Sequence, residues 1–417
     1  MNARLDLSRF CGRRRRATER TRAGRRGARR PASRLLILAA VLVVSLPVAA
    51  SQAATARATT PLPYLLGLHM VNRDTGWAVS STELLRTTDG GHTWRDLTPA
   101  GTAGAPIEDE ATTDWAYGGL PANLAVLGRT TAWLAVPATG ALTVYSTTDR
   151  GAQWQGASLA LPNAGGNEPF VLGIDFVGPK HGFLALSLGG GAAGSMDIEI
   201  YASSDGGATW QMESGGGTFR DGHGATPLAG IKTGFGFADR LHGWLTGASY
   251  ANGVWLYASK TGGKSWHSAG LNAPRGSSVA RMLHRYPTTL PPWFVTQRKG
   301  FLPVFGDTGT STITVFFATP NGGTTWRKTT PVTTSTGPSF WGWQDARHGF
   351  VSDTARLEFT SNAGLTWHAK RLPAKLKGVA QIDFGSRSVG WAIVHGKLLR
   401  TINKGHGWTS LAAVVSP

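Results

Sequence analysis

The sequence predicts an all-β fold, a seven-bladed β-propeller of four-stranded antiparallel blades preceded by a signal peptide. Three observations carry the propeller. A pattern Thr/Ser-x-Asp/Asn-x-Gly-x-x-Trp recurs seven times, with a single Thr in place of the Asp or Asn. Every copy is preceded by an aromatic residue, and another large apolar residue stands seven positions before each of those aromatics. The composition suits short strands and tight turns, with 56 Gly, 22 Pro and 16 Trp among 417 residues and 16% charge.

The copies occupy 87–94, 147–154, 203–210, 259–266, 319–326, 360–367 and 401–408. Their defining residues are Asp89 and Trp94, Asp149 and Trp154, Asp205 and Trp210, Trp266, Asn321 and Trp326, Asn362 and Trp367, and Asn403 and Trp408. The aromatics before them are Trp77, Trp133, Phe183, Trp244, Phe301, Phe350 and Trp391; the earlier markers are Met70, Val126, Phe176, Phe237, Phe294, Trp343 and Phe384. One repeat reads as a strand ending at the first marker, a tight turn, and a second strand opening with the aromatic. A third strand then runs into the box and a fourth starts at its Trp. Four short strands in about 40–60 residues make one propeller blade.

The box has its own chemistry. Asp or Asn accepts hydrogen bonds from amides of its own turn, Gly supplies positive φ without steric cost, and Trp buries a large ring against the neighbouring hairpin. Thr261 replaces the Asp of the fourth copy, Arg150 replaces a common Gly, and Pro320 enters the fifth. The fourth hairpin is therefore expected to be held less tightly. On these residues the chain resembles the Asp-box or BNR-repeat propellers, a group that includes sialidases, sortilin-type receptors and photosystem II stability/assembly factor-like proteins. Gly-Trp-Ala, Leu-Leu-Arg-Thr and Asp-Gly-Gly-x-Thr-Trp of the first repeat are most similar to the last group. The resemblance spans 62–414 and implies boxes that are structural, on the outside of the wheel, with no catalytic or metal role.

The net charge of +18 is concentrated at the start. Residues 1–53 hold thirteen Arg and no Lys against Asp6 and Glu19, leaving +7 for the remainder. The Arg-rich run precedes an apolar core at 35–46, then Pro47 and a small-residue stretch, which is the layout of a secretory signal peptide cleaved after Ala53 or Ala56. A nucleic-acid-binding tail would leave the apolar stretch unexplained. An uncleaved anchor would need about 18 apolar residues. The expected organisation is a signal peptide at 1–53, a linker at 54–61 and a propeller at 62–414. Export to the periplasm, the cell surface or the medium follows, with membrane anchoring if the signal stays on. Cys11 lies in the segment to be removed, so disulfides, Cys-ligated metals and a Cys nucleophile are excluded from the mature chain.

The interval between the two markers is constant, and the box fixes the turn between strands three and four, so both constant turns share one face. The variable lengths fall between strands two and three and between blades, which emerge together on the opposite face; long loops on a rigid scaffold usually carry function. There, segment 101–129 holds Glu108, Asp109, Glu110 and Asp114 with Trp115 and Tyr117. Segment 270–299 holds Arg275, Arg281, His284, Arg285, Tyr286, Trp293, Arg298 and Lys299. Arginine with aromatics is typical of binding hot spots, so the second segment is expected to contact an acidic or glycan partner, unless it is a solvated loop with its apolar residues tucked onto the rim.

The function expected is a noncatalytic binding or assembly scaffold with an envelope or extracellular protein as partner. The chain is expected to act as a monomer without cofactor, metal or nucleic acid. The alternative is a carbohydrate-active enzyme of sialidase or glycosidase type, or a glycan-binding lectin. Arg275, Arg281, Tyr286, Glu108, Asp109 and Glu168 are loose candidates for that chemistry but form no recognisable constellation of paired carboxylates. No P-loop, dinucleotide fingerprint, His-Glu-x-x-His or nucleophile elbow is present.

Overall fold

Strand-forming runs of four to ten residues separated by Gly-rich turns can bury themselves only by pairing with their neighbours in sequence. In the computed structural model they do so in seven separate sheets. It describes residues 59–102, 107, 122–138, 140–161, 170–191, 194–216, 224–249, 253–334, 340–353 and 355–416.

Blade one consists of Gly67–Met70, Gly76–Val79, Leu84–Thr87 and Thr93–Asp96, antiparallel and in chain order from the inside outwards. The other blades start from the inner strands Leu124–Leu127, Phe170–Phe176, Ile231–Phe237, Trp293–Thr296, Phe340–Trp343 and Val379–Asp383 and follow the same order. Small additions decorate three of them. Gly224–Ala225 pairs in parallel on the edge of blade three, and Thr288–Thr289 and Val332–Thr334 extend blade five. Val414–Ser416 pairs in parallel with Thr93–Asp96 of blade one and is itself covered by Thr60–Pro61. The C-terminal strand thus clasps the outer edge of the first blade, and no blade has to be assembled from both chain ends.

The seven repeat turns share one hydrogen-bond scheme. The amide of the fifth motif residue, always Gly with positive φ, donates to the hydroxyl of the first at 2.8–3.0 Å. The side chain at the third position accepts from the amide of the seventh at 2.8–3.0 Å. Thr261 keeps that bond through its hydroxyl, to the Ser265 amide at 3.0 Å. Asp89 adds the His92 amide at 3.0 Å and the Thr93 hydroxyl at 2.7 Å, so the fourth turn keeps its shape with fewer charged acceptors. The amide at the fourth position donates to the carbonyl three residues before the aromatic, from Gly90 to Asp74 through Lys404 to Ser388, at 2.7–3.0 Å in all seven blades. That bond ties the two constant turns together on one face.

The constant interval has a packing cause. The first marker lies over the residue that opens the second strand of its own blade, pairing Phe176 with Gly182, Phe237 with Gly243, Phe294 with Gly300 and Trp343 with Gly349. A Cβ on any of these glycines, or on Gly390 beneath Phe384, would fall at or within 2.6 Å of a ring atom. The marker is then covered by the aromatic of the preceding blade. Trp133 stacks on Phe176 at 3.5 Å, Phe183 on Phe237 at 3.5 Å and Phe301 on Trp343 at 3.4 Å. The motif Trp meets the marker edge-on, as Trp210 does Phe176 and Trp266 does Phe237. Blade two has the smaller Val126 as its marker, and there the paired residue is Ala132 rather than Gly.

Two expectations follow. Gly182→Ala and Gly243→Ala should each cost about 1–3 kcal/mol by overpacking, while Gly178→Ala, where a Cβ meets nothing within 4 Å, should be near neutral; equal urea midpoints for all three would refute the stacking argument. Arg150, Ala363 and Lys404 occupy the fourth turn position with φ of 71°, 60° and 59°. Left-handed backbone is unfavourable for residues with a Cβ, so replacing each by Gly should raise stability by about 0.5–1 kcal/mol in the same unfolding measurement.

Candidate functional site

The connection from blade four to blade five is built on a six-residue helix, Ser278–Leu283. Ser277 caps it, accepting the Ala280 amide at 3.1 Å and donating to the Pro274 carbonyl at 2.6 Å. Val279, Met282 and Leu283 fall on one face and are buried among Leu302, Val304, Ile313 and Val315 of blade five. The helical period therefore turns Arg281 and His284 outwards, where both are exposed. Arg275, Arg281, His284 and Arg285 surround a depression of about 520 Å³ with Ala273, Gly276 and Ala280, and among the described residues no carboxylate lines it. The Arg281 guanidinium donates to the Gly276 carbonyl at 2.8 Å, and the Arg285 carbonyl accepts the Gly253 amide at 2.7 Å. Arg285 itself lies against Gly309, in the turn between strands two and three of blade five. These contacts place the depression on the face of variable loops.

The structure divides the segment that the sequence presents as one basic-aromatic loop. Arg298 and Lys299 lie on the opposite face, because the Arg298 carbonyl accepts the Gly322 amide of the repeat turn. Trp293 begins the inner strand of blade five and faces the central channel, its ring 6.1 Å from His69 and 6.0 Å from Trp341. Tyr286 is 60% exposed but does not line the depression. Linear proximity misleads here because the segment crosses from one face of the wheel to the other along an inner strand. Glu108, Asp109, Glu110, Asp114, Trp115, Tyr117 and Glu168 lie outside the described residues.

The channel is a second feature, and of its described lining residues only Trp293 is among the sequence-based binding candidates. His69, Ala125, Asp175, Gly236 and Trp293, each the residue before the first marker of its blade, line a cavity of about 490 Å³. Strand alternation is the signal that could have found them, since a marker packed under the preceding blade leaves its neighbour on the opposite sheet face, toward the next blade beside the channel. The Asp175 carboxylate accepts the Phe237 amide of the next blade at 2.9 Å. Asp383 does the same across the ring closure to Met70 at 2.6 Å, and Gln381 pairs with both the amide and the carbonyl of Leu68 at 2.7 Å. Crowding by the channel wall desolvates Asp175 and pushes its carboxyl up to about 6 in spite of the amides it accepts. Asp383 is raised for the same reason.

The folded Asp175 holds its proton up to about 6, whereas the free carboxyl releases it near 3.8. The native state therefore binds more protons in that interval, and this contribution to stability falls as pH rises through it. The repeat-turn carboxylates Asp89, Asp149 and Asp205 shift downwards, so their contribution is lost only as pH falls below their ordinary values. Asp175→Asn should remove the first effect alone. Urea midpoints measured between about pH 4 and 6.5 should converge for wild type and variant at the acid end and separate in favour of the variant at the upper end; parallel curves would contradict the assignment.

No family model and no curated protein matches this chain. Among solved structures it is similar to YCF48 bound to D1 peptide, with 18% identity over 82% of this chain and 93% of that one and a TM-score of 0.48. It is also similar to an ancestral GH74 enzyme, with 13% identity, 84% and 46% coverage and a TM-score of 0.42, so that it spans less than half of that protein. For the Dos1 propeller the values are 10% identity, 82% and 78% coverage and a TM-score of 0.45.

Proposed function

We propose that the chain is an exported, noncatalytic propeller of the Asp-box type that binds an acidic segment of an envelope or extracellular protein on its variable-loop face. The observation that carries this reading is the depression ringed by Arg275, Arg281, His284 and Arg285, with no carboxylate among the described residues that line it. No ion pair to a described carboxylate neutralises the three arginines. Arg281 stands on a helix whose apolar face is buried in blade five, with Arg275 before its cap and Arg285 just past its end, so the cations are displayed around a fixed base. Arginine offers forked donors matched to carboxylates, and fixing them beforehand reduces the ordering cost of binding.

The Arg-rich and apolar layout of residues 1–53 supports export. The identical hydrogen-bond scheme of the seven turns supports membership of the Asp-box group.

The test is cross-linked capture with the tagged chain in the envelope fraction of an exporting host, beside a variant in which Arg275, Arg281 and Arg285 are Glu. A mature N-terminus at residue 54 or 57 is expected. A specific protein should be retained by the wild type, released at high salt and lost by the variant. Equal retention by the variant would sink the assignment of the site, and recovery of glycans alone would favour the lectin or glycosidase reading.

A further inference from the structure

A separate basic cleft lies on the other face of the wheel, between blades six and seven. Its cavity of about 310 Å³ is lined by His348, Ser361, His368, Lys370, Arg387 and Lys404 among others, and by no carboxylate among the described residues. Residues 321–417, most of which build these two blades, hold twelve Lys and Arg against four Asp and Glu, although the chain beyond residue 53 has a net charge of only +7. The basic balance of the propeller thus belongs to one sector of the wheel.

The cations are positioned rather than loose. The Lys370 ammonium sits 5.1 Å from the centre of the Phe359 ring. It donates to the Lys404 carbonyl of the next blade at 2.9 Å and meets His406 Nε2 at 2.8 Å, which spends two of its three donors. Burial lowers its affinity for a proton, and the Lys404 charge lowers it further. Asp345, at the rim, is occupied on both sides, by His348 at 2.9 Å and by Arg387 at 3.1 Å. It holds two of the cleft's basic side chains in place and leaves Lys370, Lys404 and His368 without a counter-charge among the described carboxylates.

We propose that this cleft binds a tetrahedral oxyanion, the phosphate or sulfate group of a larger molecule. Such a group brings several acceptor oxygens to converging donors from two blades and neutralises the mutual repulsion of Lys370 and Lys404. The cavity exceeds one bare oxyanion and leaves room for the sugar or peptide that carries it. Binding here is independent of the loop-face reading, because the cleft is built from turns of the opposite face.

The experiment titrates the exported protein with inorganic phosphate and, separately, with sulfate, in chloride buffer at constant ionic strength, following the rise in unfolding temperature. A saturable rise is expected with at least one anion. The double variant Lys370→Gln/Lys404→Gly should lose about tenfold in affinity, corresponding to about 1.4 kcal/mol. Lys404→Gly relieves a positive φ of 59° while removing the charge, so its baseline unfolding temperature should not fall. The triple Glu variant of the loop face should respond like the wild type. Because each anion is titrated alone at one pH, the anion with the tighter saturable response identifies the group that the cleft prefers. Equal responses of wild type and double variant, or no saturable response to either anion, would overturn the proposal.

Discussion

The fold rests on one steric arrangement: a large side chain at the end of each inner strand, laid over its own blade and covered by an aromatic of the blade before it. Where the marker is a Phe or Trp, only Gly fits beneath it, because a Cβ would enter the ring. The stack then closes at 3.4–3.5 Å in three of the junctions. Aromatic pairs at such distances contribute about 0.5–1.5 kcal/mol beyond the area they bury, and five of the seven junctions pair two rings. The junctions are not identical. Trp244 meets Phe294 at 5.3 Å with planes 33° apart, and Phe350 meets Phe384 at 5.0 Å and 59°. Blade two, with Val126 over Ala132, has traded ring size for a side chain beneath it. The constraint is therefore on the volume shared by the pair, not on either residue alone.

This explains why the repeat could be read from the sequence. A constant interval between marker and aromatic is what a hairpin must keep if its turn is bonded to the repeat turn and its two ends are packed against different blades. The motif is equally legible, since its first and third residues accept turn amides through side-chain oxygens that few other residues supply. Thr261 shows the tolerance. A hydroxyl can accept the one essential amide, although it has no charge with which to hold the four donors that converge on Asp89. Ring closure was not legible. The last residues, Val414–Ser416, carry no motif, and their parallel pairing with blade one depends on where the circle brings the chain ends together.

The candidate site was legible only in part. Arg275, Arg281, His284 and Arg285 stand together because a short capped helix carries Arg281, ends on His284 and has the other two just beyond its ends, a local feature. Trp293, Arg298 and Lys299 follow within a few residues, yet an inner strand crosses the full height of the wheel and takes them elsewhere. The basic cleft was hidden for the converse reason. Lys370 and Lys404 are 34 positions apart and meet only because blades six and seven are neighbours. Lys232 is a further case. It interrupts an inner strand, but its ammonium is buried against the carbonyls of Met196 and Leu228 at 2.6 and 2.8 Å, where the backbone takes the role of a counter-ion. Nothing in the strand pattern distinguishes such a lysine from an exposed one.

The two faces of the wheel divide the physical demands on the chain. On the constant-turn face, length is fixed by the bond between the two turns of every blade, so chemistry can vary only through side chains that project from a frame already set. Charge is the variable left free, and it accumulates in the sector of blades six and seven. On the opposite face, length is free, and the chain uses it to build a helix with its own cap and its own buried anchor. A rigid frame with altered side chains favours a small ligand with few contacts, held by charge. An added element favours a larger partner, because it brings new surface as well as new charge. The oxyanion cleft and the arginine depression differ in the way these two origins require.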